Sequence, residues 1–195
     1  MKNKKAFTLI ELLVVIALIE LLTSIVLVSL KGVREKAKMA KAQEALQSIQ
    51  TAIILAQDRE DKVLGQITGN YCSECPCRNR ADVCDLPDNS ADSCIVNWRN
   101  AFNKIGLSPM RDLWGCPYMI DENELEGYEG VPCRHDTVNS AGPNRIYTGG
   151  PSSGLCTGYH DEEATPCDDD GPRVKIPFYQ CLTSDIPCPD KTCPP

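Results

Sequence analysis

The sequence lacks several short motifs that commonly mark an enzyme active site. It contains no G-x-x-x-x-G-K-[ST] loop, no G-x-G-x-x-G turn, no H-E-x-x-H pair and no Ser, His and Asp order of a hydrolase. Only two histidines occur in 195 residues, and His135 and His160 are isolated. No nucleophile, base or acid is grouped at a catalytic spacing, so the sequence predicts a protein that is not an enzyme.

Cysteine and proline are absent from the first 71 residues, and all 12 cysteines and all 14 prolines come later. Without proline the strongest helix breaker is missing, and residues 31–57 are rich in the good helix formers Ala, Lys, Glu, Gln and Leu. Alternating steps of four and three residues separate the apolar side chains of Ala42, Leu46, Ile49, Ile53 and Ala56. This spacing predicts a helix with one apolar stripe, which packs on the domain that follows.

An apolar run of 22 residues, Leu9–Leu30, precedes that stripe and is interrupted only by Glu11 and Glu20. A bilayer is spanned by about 20 residues, whereas the apolar part of a secretory signal has only about 7–15. Lysines lie before the run, so the positive-inside rule predicts a cytoplasmic N-terminus and an exported remainder. We therefore expect a single-pass membrane helix, with a simple signal anchor as the alternative.

The start of this run, Lys4-Lys5-Ala6-Phe7-Thr8-Leu9-Ile10-Glu11, resembles the class III leader of type IV pilins and type II secretion pseudopilins. The resemblance implies that a prepilin peptidase cuts between Ala6 and Phe7, and that the new N-terminus at Phe7 is methylated. Ala6 stands where family members most often have glycine, and it keeps a small side chain there. The implied function is a structural subunit that polymerises through its N-terminal helix into a bacterial surface filament or a secretion pseudopilus.

The same resemblance implies the partners of the chain. They are other copies of it, related pilins, the prepilin peptidase, and an inner-membrane assembly platform with its ATPase. The chain would begin in the cytoplasmic membrane and end in a cell-surface or periplasmic filament. Secretion, adhesion, motility and DNA uptake all stay open as the purpose of the filament, as does a major or minor role. A membrane-anchored, calcium-dependent binding or adhesion module on the cell surface is the alternative function.

Two acidic residues interrupt the apolar run, and they are expected to have different roles. A carboxylate in a membrane helix costs about 2.5–3.5 kcal/mol, so it is expected to meet a partner. After cleavage Glu11 would be the fifth residue, and the resemblance implies that it neutralises the amino group of Phe7 on an adjacent subunit. Glu20 follows nine residues later, about half a turn out of phase, and cannot face the same neighbour.

Charge and composition divide the chain into three predicted parts: a leader (1–6), a transmembrane and assembly helix (7–57) and an exported globular head (58–195). Residues 1–57 carry 8 basic and 4 acidic side chains, a formal charge of +4, and residues 58–195 carry 12 and 23, a charge of −11, giving −7 in all. Basic residues just after the apolar run are expected to contact lipid headgroups. The acidic head would repel phosphates, so no nucleic-acid partner is expected.

The predicted fold class is α+β, with the long helix packed on a small antiparallel sheet in a head rich in loops and disulfides. A short helix is expected at Ser93–Ile105. Brief strands are expected near Trp114–Ile120, Arg145–Tyr147 and Val174–Gln180, where β-branched and aromatic residues cluster.

Twelve cysteines in an exported domain predict disulfides, because the number is even and the compartment is oxidising. Their pairing is not readable from the sequence. Zinc is the alternative, but only one C-x-x-C occurs, at Cys72–Cys75, and structural zinc sites commonly pair two. The candidates for pairing are Cys72, Cys75, Cys77, Cys84, Cys94, Cys116, Cys133, Cys156, Cys167, Cys181, Cys188 and Cys193.

Two head segments, 111–118 (RDLWGCPY) and 138–145 (VNSAGPNR), resemble the D-P-W-G-N-P-Y segment and the S-x-G-P-D-G turn of major pseudopilins. The resemblance implies a calcium site in the loop that follows the turn. Calcium binds six to eight oxygen ligands from flexible segments. The candidate ligands are Asn144, Asp168, Asp169 and Asp170, and three solvated aspartates in a loop are the alternative.

Overall fold

The structure is a computed structural model that describes residues 9–126, 133–147 and 171–181. It forms two compact units, Met1–Lys38 and Met39–Pro195. The helices are α1 (Leu9–Glu60), α2 (Leu64–Thr68) and α3 (Ser93–Ile105), with short 3₁₀ turns at Cys75–Cys77 and Val83–Asp85. The strands are β1 (Met119–Asp121), β2 (Thr137–Asn139) and β3 (Arg173–Lys175). The predicted α+β class, with a long N-terminal helix and a small antiparallel sheet, is confirmed.

In the part of the chain that the structure describes, no helix combines the length and the apolar character that crossing a membrane requires. The membrane span predicted for the first half of the long helix is therefore not confirmed by the structure.

The predicted apolar stripe on α1 forms one wall of the core. Ala42, Leu46, Ile49, Ile53 and Ala56 are all fully buried. Of these, Leu46, Ile49, Ile53 and Ala56 share one hydrophobic cluster with residues of α3 and β1, among them Trp98, Phe102 and Met119. Burial of a large apolar side chain contributes about 1.5–3 kcal/mol, so the stripe is a main source of stability.

Helix α3 has the bounds predicted from the sequence, because both of its ends carry clear signals. The Asp92 side chain caps the N-terminus by accepting a hydrogen bond from the Cys94 amide over 2.9 Å. Gly106 ends the helix with a φ of 84°, in the left-handed region that glycine adopts readily. Between these ends Trp98 and Phe102 pack edge to face, with ring centroids 6.2 Å apart.

The sheet is antiparallel in the order β1-β2-β3. Val138 lies opposite Ile120 on one side and Val174 on the other. The strand predicted at Arg145–Tyr147 is wrong, because Arg145 belongs to a turn, with a φ of 60°. Of the strand predicted near 114–120 only the last residues enter β1, since Gly115, with a φ of 87°, turns the chain before it.

Four disulfides lie within the described part of the head, and every cysteine that the structure describes is part of one. The pairs are Cys72–Cys75, Cys77–Cys94, Cys84–Cys116 and Cys133–Cys181. The first two tie the Cys75–Cys77 turn to the loop before it and to α3, the third ties the Val83–Asp85 turn to the loop before β1, and the fourth joins the segments before β2 and after β3. Cys156, Cys167, Cys188 and Cys193 lie outside the described residues.

Candidate functional site

The first part of α1 exposes apolar side chains on all of its sides. Eleven Leu, Ile and Val side chains between Leu9 and Leu22 are exposed, from 45% at Val15 to 78% at Leu9. A helix that is apolar all round is normally enclosed by other apolar groups. This segment is therefore a candidate interaction surface.

Both acidic residues of this segment lie on α1 with exposed side chains. Glu11 is in the first turn of the helix, where the helix dipole favours a negative charge. Ala6 and Phe7, the residues of the expected cleavage site, lie outside the described residues. The structure thus places Glu11 at the start of the exposed apolar surface and leaves the cleavage site as a sequence-based expectation.

The two head segments with pseudopilin-like sequences contact each other. Asp112 is buried, and its Oδ1 accepts hydrogen bonds from the amides of Trp114 and Cys116 over 2.9 and 2.8 Å. Its Oδ2 accepts one from the Ser140 hydroxyl over 2.6 Å. Burial raises the pKa of the Asp112 carboxyl, and these hydrogen bonds oppose that shift. One side chain therefore organises the first segment and fastens it to the second.

A guanidinium completes this arrangement. Arg111 donates to the carbonyls of Cys84, Leu86 and Gly115 over 3.0, 2.6 and 2.7 Å, and it lies 5.4 Å from the centre of the Trp98 ring. Because three carbonyls from two loops share one cation, the side chain joins these loops. Sequence reasoning identified segment 111–118 but not the role of Arg111, which no spacing reveals.

Several carboxyl groups of the head are buried, which the sequence did not predict. Burial raises the pKa of Glu122 to about 8, although Ser73 donates to it from both its amide and its hydroxyl. Burial also raises the pKa of Asp136 to about 7, while the amides of Asn123 and Glu124 donate to its Oδ1. These groups hold loops next to β1 and β2 and favour the protonated form in the folded head.

The candidate calcium ligands are only partly described. Asn144 is exposed, and its Oδ1 accepts a hydrogen bond from the Ile146 amide over 3.0 Å, which is a local turn contact. Asp168, Asp169 and Asp170 lie outside the described residues. Within residues 9–126, 133–147 and 171–181, no group of three or more His, Cys, Asp or Glu side chains is arranged to hold a metal ion.

In the described part of the chain, an exposed apolar helical segment is thus joined in sequence to a disulfide-bonded α+β head. Residues 1–19 match the family model of the prokaryotic N-terminal methylation motif. The chain thus carries the class III prepilin leader, and the motif supports a type IV pilin-like or pseudopilin subunit. No curated protein and no solved structure significantly matches the chain.

Proposed function

We propose that this protein is a structural subunit that polymerises through its N-terminal helix into a bacterial surface filament or a secretion pseudopilus. The observation that carries this proposal is the exposed apolar surface of α1 between Leu9 and Leu22. Large exposed apolar surfaces mark interaction sites, and here the surface overlaps the methylation motif of residues 1–19.

Before assembly, the cytoplasmic membrane holds the N-terminal segment, with the lysines of the leader inside and the head outside. A prepilin peptidase removes residues 1–6, and the amino group of Phe7 is methylated. The assembly platform and its ATPase then move the subunit into the filament, where neighbouring helices cover the apolar surface in place of lipid.

Within the filament, Glu11 of one subunit pairs with the amino group of Phe7 on its neighbour. The position of Glu11 in the first exposed turn of α1 supports this pairing, because the carboxylate is carried on the surface that packs. An ion pair enclosed by apolar helices strongly favours one register over others, since a slipped neighbour would leave a charge uncompensated.

The test is mass spectrometry of the native chain, purified from assembled material. We expect Phe7 as a methylated N-terminus. Ala6→Leu should block cleavage by replacing the small side chain before the cut, whereas Asn3→Leu, the matched control, should be cleaved normally. An assembled filament whose subunits retain Met1 or Lys2 would contradict the proposed function.

A further inference from the structure

Among the four disulfides of the described residues, one differs from the other three in its exposure. Cys72 and Cys75 are three positions apart, with Cys75 exposed and Cys72 half-buried. The remaining pairs span 17, 32 and 48 positions, and all six of their cysteines are buried. A short disulfide at the surface restricts the unfolded chain least and is open to an attacking thiol.

A cation lies beside the exposed sulfur. The Arg78 Nη1 donates to Cys75 Sγ over 3.5 Å. The same guanidinium is held by two carboxylates, through its Nε to Glu74 over 2.9 Å and through its Nη2 to Asp121 over 2.7 Å. Arg78 is therefore fixed against the sulfur, where it attracts an incoming thiolate and stabilises a thiolate on Cys75.

A proton acceptor lies beside the other sulfur. Asp121 Oδ1 is 3.3 Å from Cys72 Sγ. Burial raises the pKa of Asp121 to about 6, the nearby Glu74 adds to the shift, and Arg78, Arg173 and a hydrogen bond from Asn123 oppose it. The two sulfurs thus meet opposite surroundings, a cation at Cys75 and a carboxyl group at Cys72.

We propose that Cys72 and Cys75 form a redox-active pair that exchanges with external thiols through Cys75 while the other three described disulfides stay closed. This function is independent of filament assembly. The juxtaposition of an exposed sulfur with Arg78 and of its partner with Asp121 carries the proposal. The ligand class is a small thiol, or a dithiol of another protein.

The thiol–disulfide exchange proceeds in two steps. A thiolate attacks Cys75 Sγ and forms a mixed disulfide, while the Cys72–Cys75 bond breaks and its electron pair leaves on Cys72. The Cys72 thiolate takes a proton from the solvent, and its S–H can then donate to Asp121. A second thiolate then attacks the external sulfur of the mixed disulfide, releasing an external disulfide and a Cys75 thiolate beside Arg78. Two external thiols are oxidised, and one protein disulfide is reduced.

The first test uses the full chain in buffers of reduced and oxidised glutathione. After acid quenching, alkylation and peptide mass spectrometry give the reduced fraction of each pair. We expect Cys72–Cys75 to be half reduced at a certain ratio of reduced to oxidised glutathione. This ratio should be at least about tenfold lower than the ratio at which the other three described pairs are half reduced. Opening of all pairs together, or of Cys72–Cys75 last, would overturn the proposal.

The second test identifies the sulfur that forms the mixed disulfide. Cys72→Ser leaves one thiol at Cys75, and Cys75→Ser leaves one at Cys72. With oxidised glutathione at neutral pH, we expect Cys75 to form the mixed disulfide at least about ten times faster than Cys72. Equal rates, or a faster reaction at Cys72, would show that Arg78 does not direct the exchange.

Replacing Arg78 separates its charge from its packing. Arg78→Gln in the Cys72→Ser background should slow the reaction of Cys75 by about tenfold, and Arg78→Lys should largely restore it. The matched control is Arg80→Gln, because Arg80, like Arg78, is held by two carboxylates, here those of Asp82 and Asp92. If Arg78→Gln fails to fold, the pH dependence of alkylation in the reduced wild-type protein shows which of the two cysteines forms a thiolate more readily. Cys75 must then become reactive at a lower pH than Cys72, and the reverse order refutes the proposal.

Discussion

The Ser140 hydroxyl donates a 2.6 Å hydrogen bond to Asp112 Oδ2, and this contact joins two loops that are 28 positions apart in the chain. Asp112 belongs to the turn before β1, and Ser140 follows β2 directly. The Ser140 hydroxyl also accepts from the Gly142 amide over 3.2 Å, so the second turn is held by the same group. The relationship explains how a sheet of three-residue strands keeps its order, since its loops are fastened to each other.

The first prediction concerns this contact. Asp112→Ala should destabilise the head by about 3 kcal/mol or more, because it leaves two buried amides and a hydroxyl without their acceptor. In a chain of this size the melting temperature should fall by roughly 6–12 °C. Ser140→Ala should cost about 1–2 kcal/mol. Thermal unfolding of the full chain, followed by circular dichroism, measures both effects.

The matched control for Ser140 is Ser108→Ala, because Ser108 is exposed. Its effect should stay within about 0.5 kcal/mol. The double variant Asp112→Ala with Ser140→Ala should lose less than the sum of the single variants, because both remove one hydrogen bond. Strict additivity would mean that the two side chains stabilise the head independently.

The second prediction concerns the two acidic residues of the exposed apolar segment. Glu11→Ala should be inserted and cleaved normally, because removing a carboxylate also removes its desolvation cost. It should fail to assemble, because the amino group of Phe7 on a neighbour loses its partner. Shearing of surface filaments, followed by electron microscopy and immunoblotting, measures assembly.

Glu20→Ala is the matched control for Glu11→Ala, since it removes the same group from the same helix about half a turn away. Its effect on assembly should be much milder. Abundant filaments from Glu11→Ala, or an equal loss from both variants, would argue against a specific pairing of Glu11.

Sequence reasoning succeeded where a periodic pattern or a clear cap determines the structure. The α1 stripe repeats its spacing from Ala42 to Ala56, and α3 is bounded by Asp92 and Gly106. Strand β2, in contrast, has only three residues, too few for an alternating pattern to stand out. Its position depends on pairing with strands distant in the chain, which no local signal records.

The sequence also did not predict the buried polar side chains of the head. Asp and Glu are mostly exposed in proteins, so Glu74, Glu122 and Glu124 are expected at the surface. Each is buried instead, because donors converge on it from other segments. Glu124, for example, accepts hydrogen bonds from the amides of Tyr179 and Cys181, which lie 55 and 57 positions away in the chain. Such convergence is a property of the folded chain.

The third prediction concerns the cysteines. Alkylation of the native chain under denaturing, non-reducing conditions should label nothing. This requires Cys156, Cys167, Cys188 and Cys193 to be paired as well, as an even count predicts. Labelling of several cysteines together with bound zinc, measured by elemental analysis, would favour the metal alternative.

The contribution of each disulfide should follow the length of chain that it closes. By the chain-entropy relation, the pair Cys133–Cys181, which is separated by 48 positions, adds about 4 kcal/mol to the free energy of unfolding. The pair Cys72–Cys75, separated by 3 positions, adds about 2 kcal/mol. Replacing both cysteines of a pair with alanine should therefore lower the melting temperature more for the first pair than for the second. Equal losses would show that strain or packing, rather than loop closure, dominates.

The fourth prediction concerns calcium, which we propose as a ligand of the loop that ends at Asp168–Asp170. Three adjacent carboxylates repel one another, and a divalent cation would relieve that repulsion. Extracellular calcium sites have dissociation constants of about 10⁻⁴–10⁻³ M, so even a weak site can be occupied outside the cell. A chelator should then lower the melting temperature of the full chain, and Asp168→Asn with Asp170→Asn should abolish that sensitivity.

The control for the calcium experiment is Asp88→Asn, because the Asp88 side chain is 65% exposed and pairs with Arg111. This variant should keep the response to chelator. Identical melting of the wild-type chain in chelator and in millimolar calcium would identify the three aspartates as a solvated loop.

The last prediction concerns the pH dependence of stability. The pKa of Glu122 rises to about 8 in the folded head, from 4.5 in an unperturbed chain. Because the folded value is the higher one, folding takes up a proton between these two values. The stabilisation is complete below the unfolded pKa and is lost as the pH rises through the folded one. Asp136, whose pKa rises to about 7, acts in the same direction.

The melting temperature of the full chain should therefore fall between about pH 5 and pH 8.5, each titrating carboxyl group contributing up to about 1.4 kcal/mol per pH unit. Glu122→Gln keeps an uncharged amide in place of the neutral acid, and Ser73 can still donate to its oxygen. The melting temperature of this variant should equal that of the wild type at about pH 5 and exceed it at about pH 8.5. Glu44→Gln, an exposed acid on α1, should retain the full slope of the wild type. A Glu122→Gln variant with the same slope as the wild type would mean that Glu122 is charged in the folded head, with its hydrogen bonds from Ser73 outweighing the effect of burial.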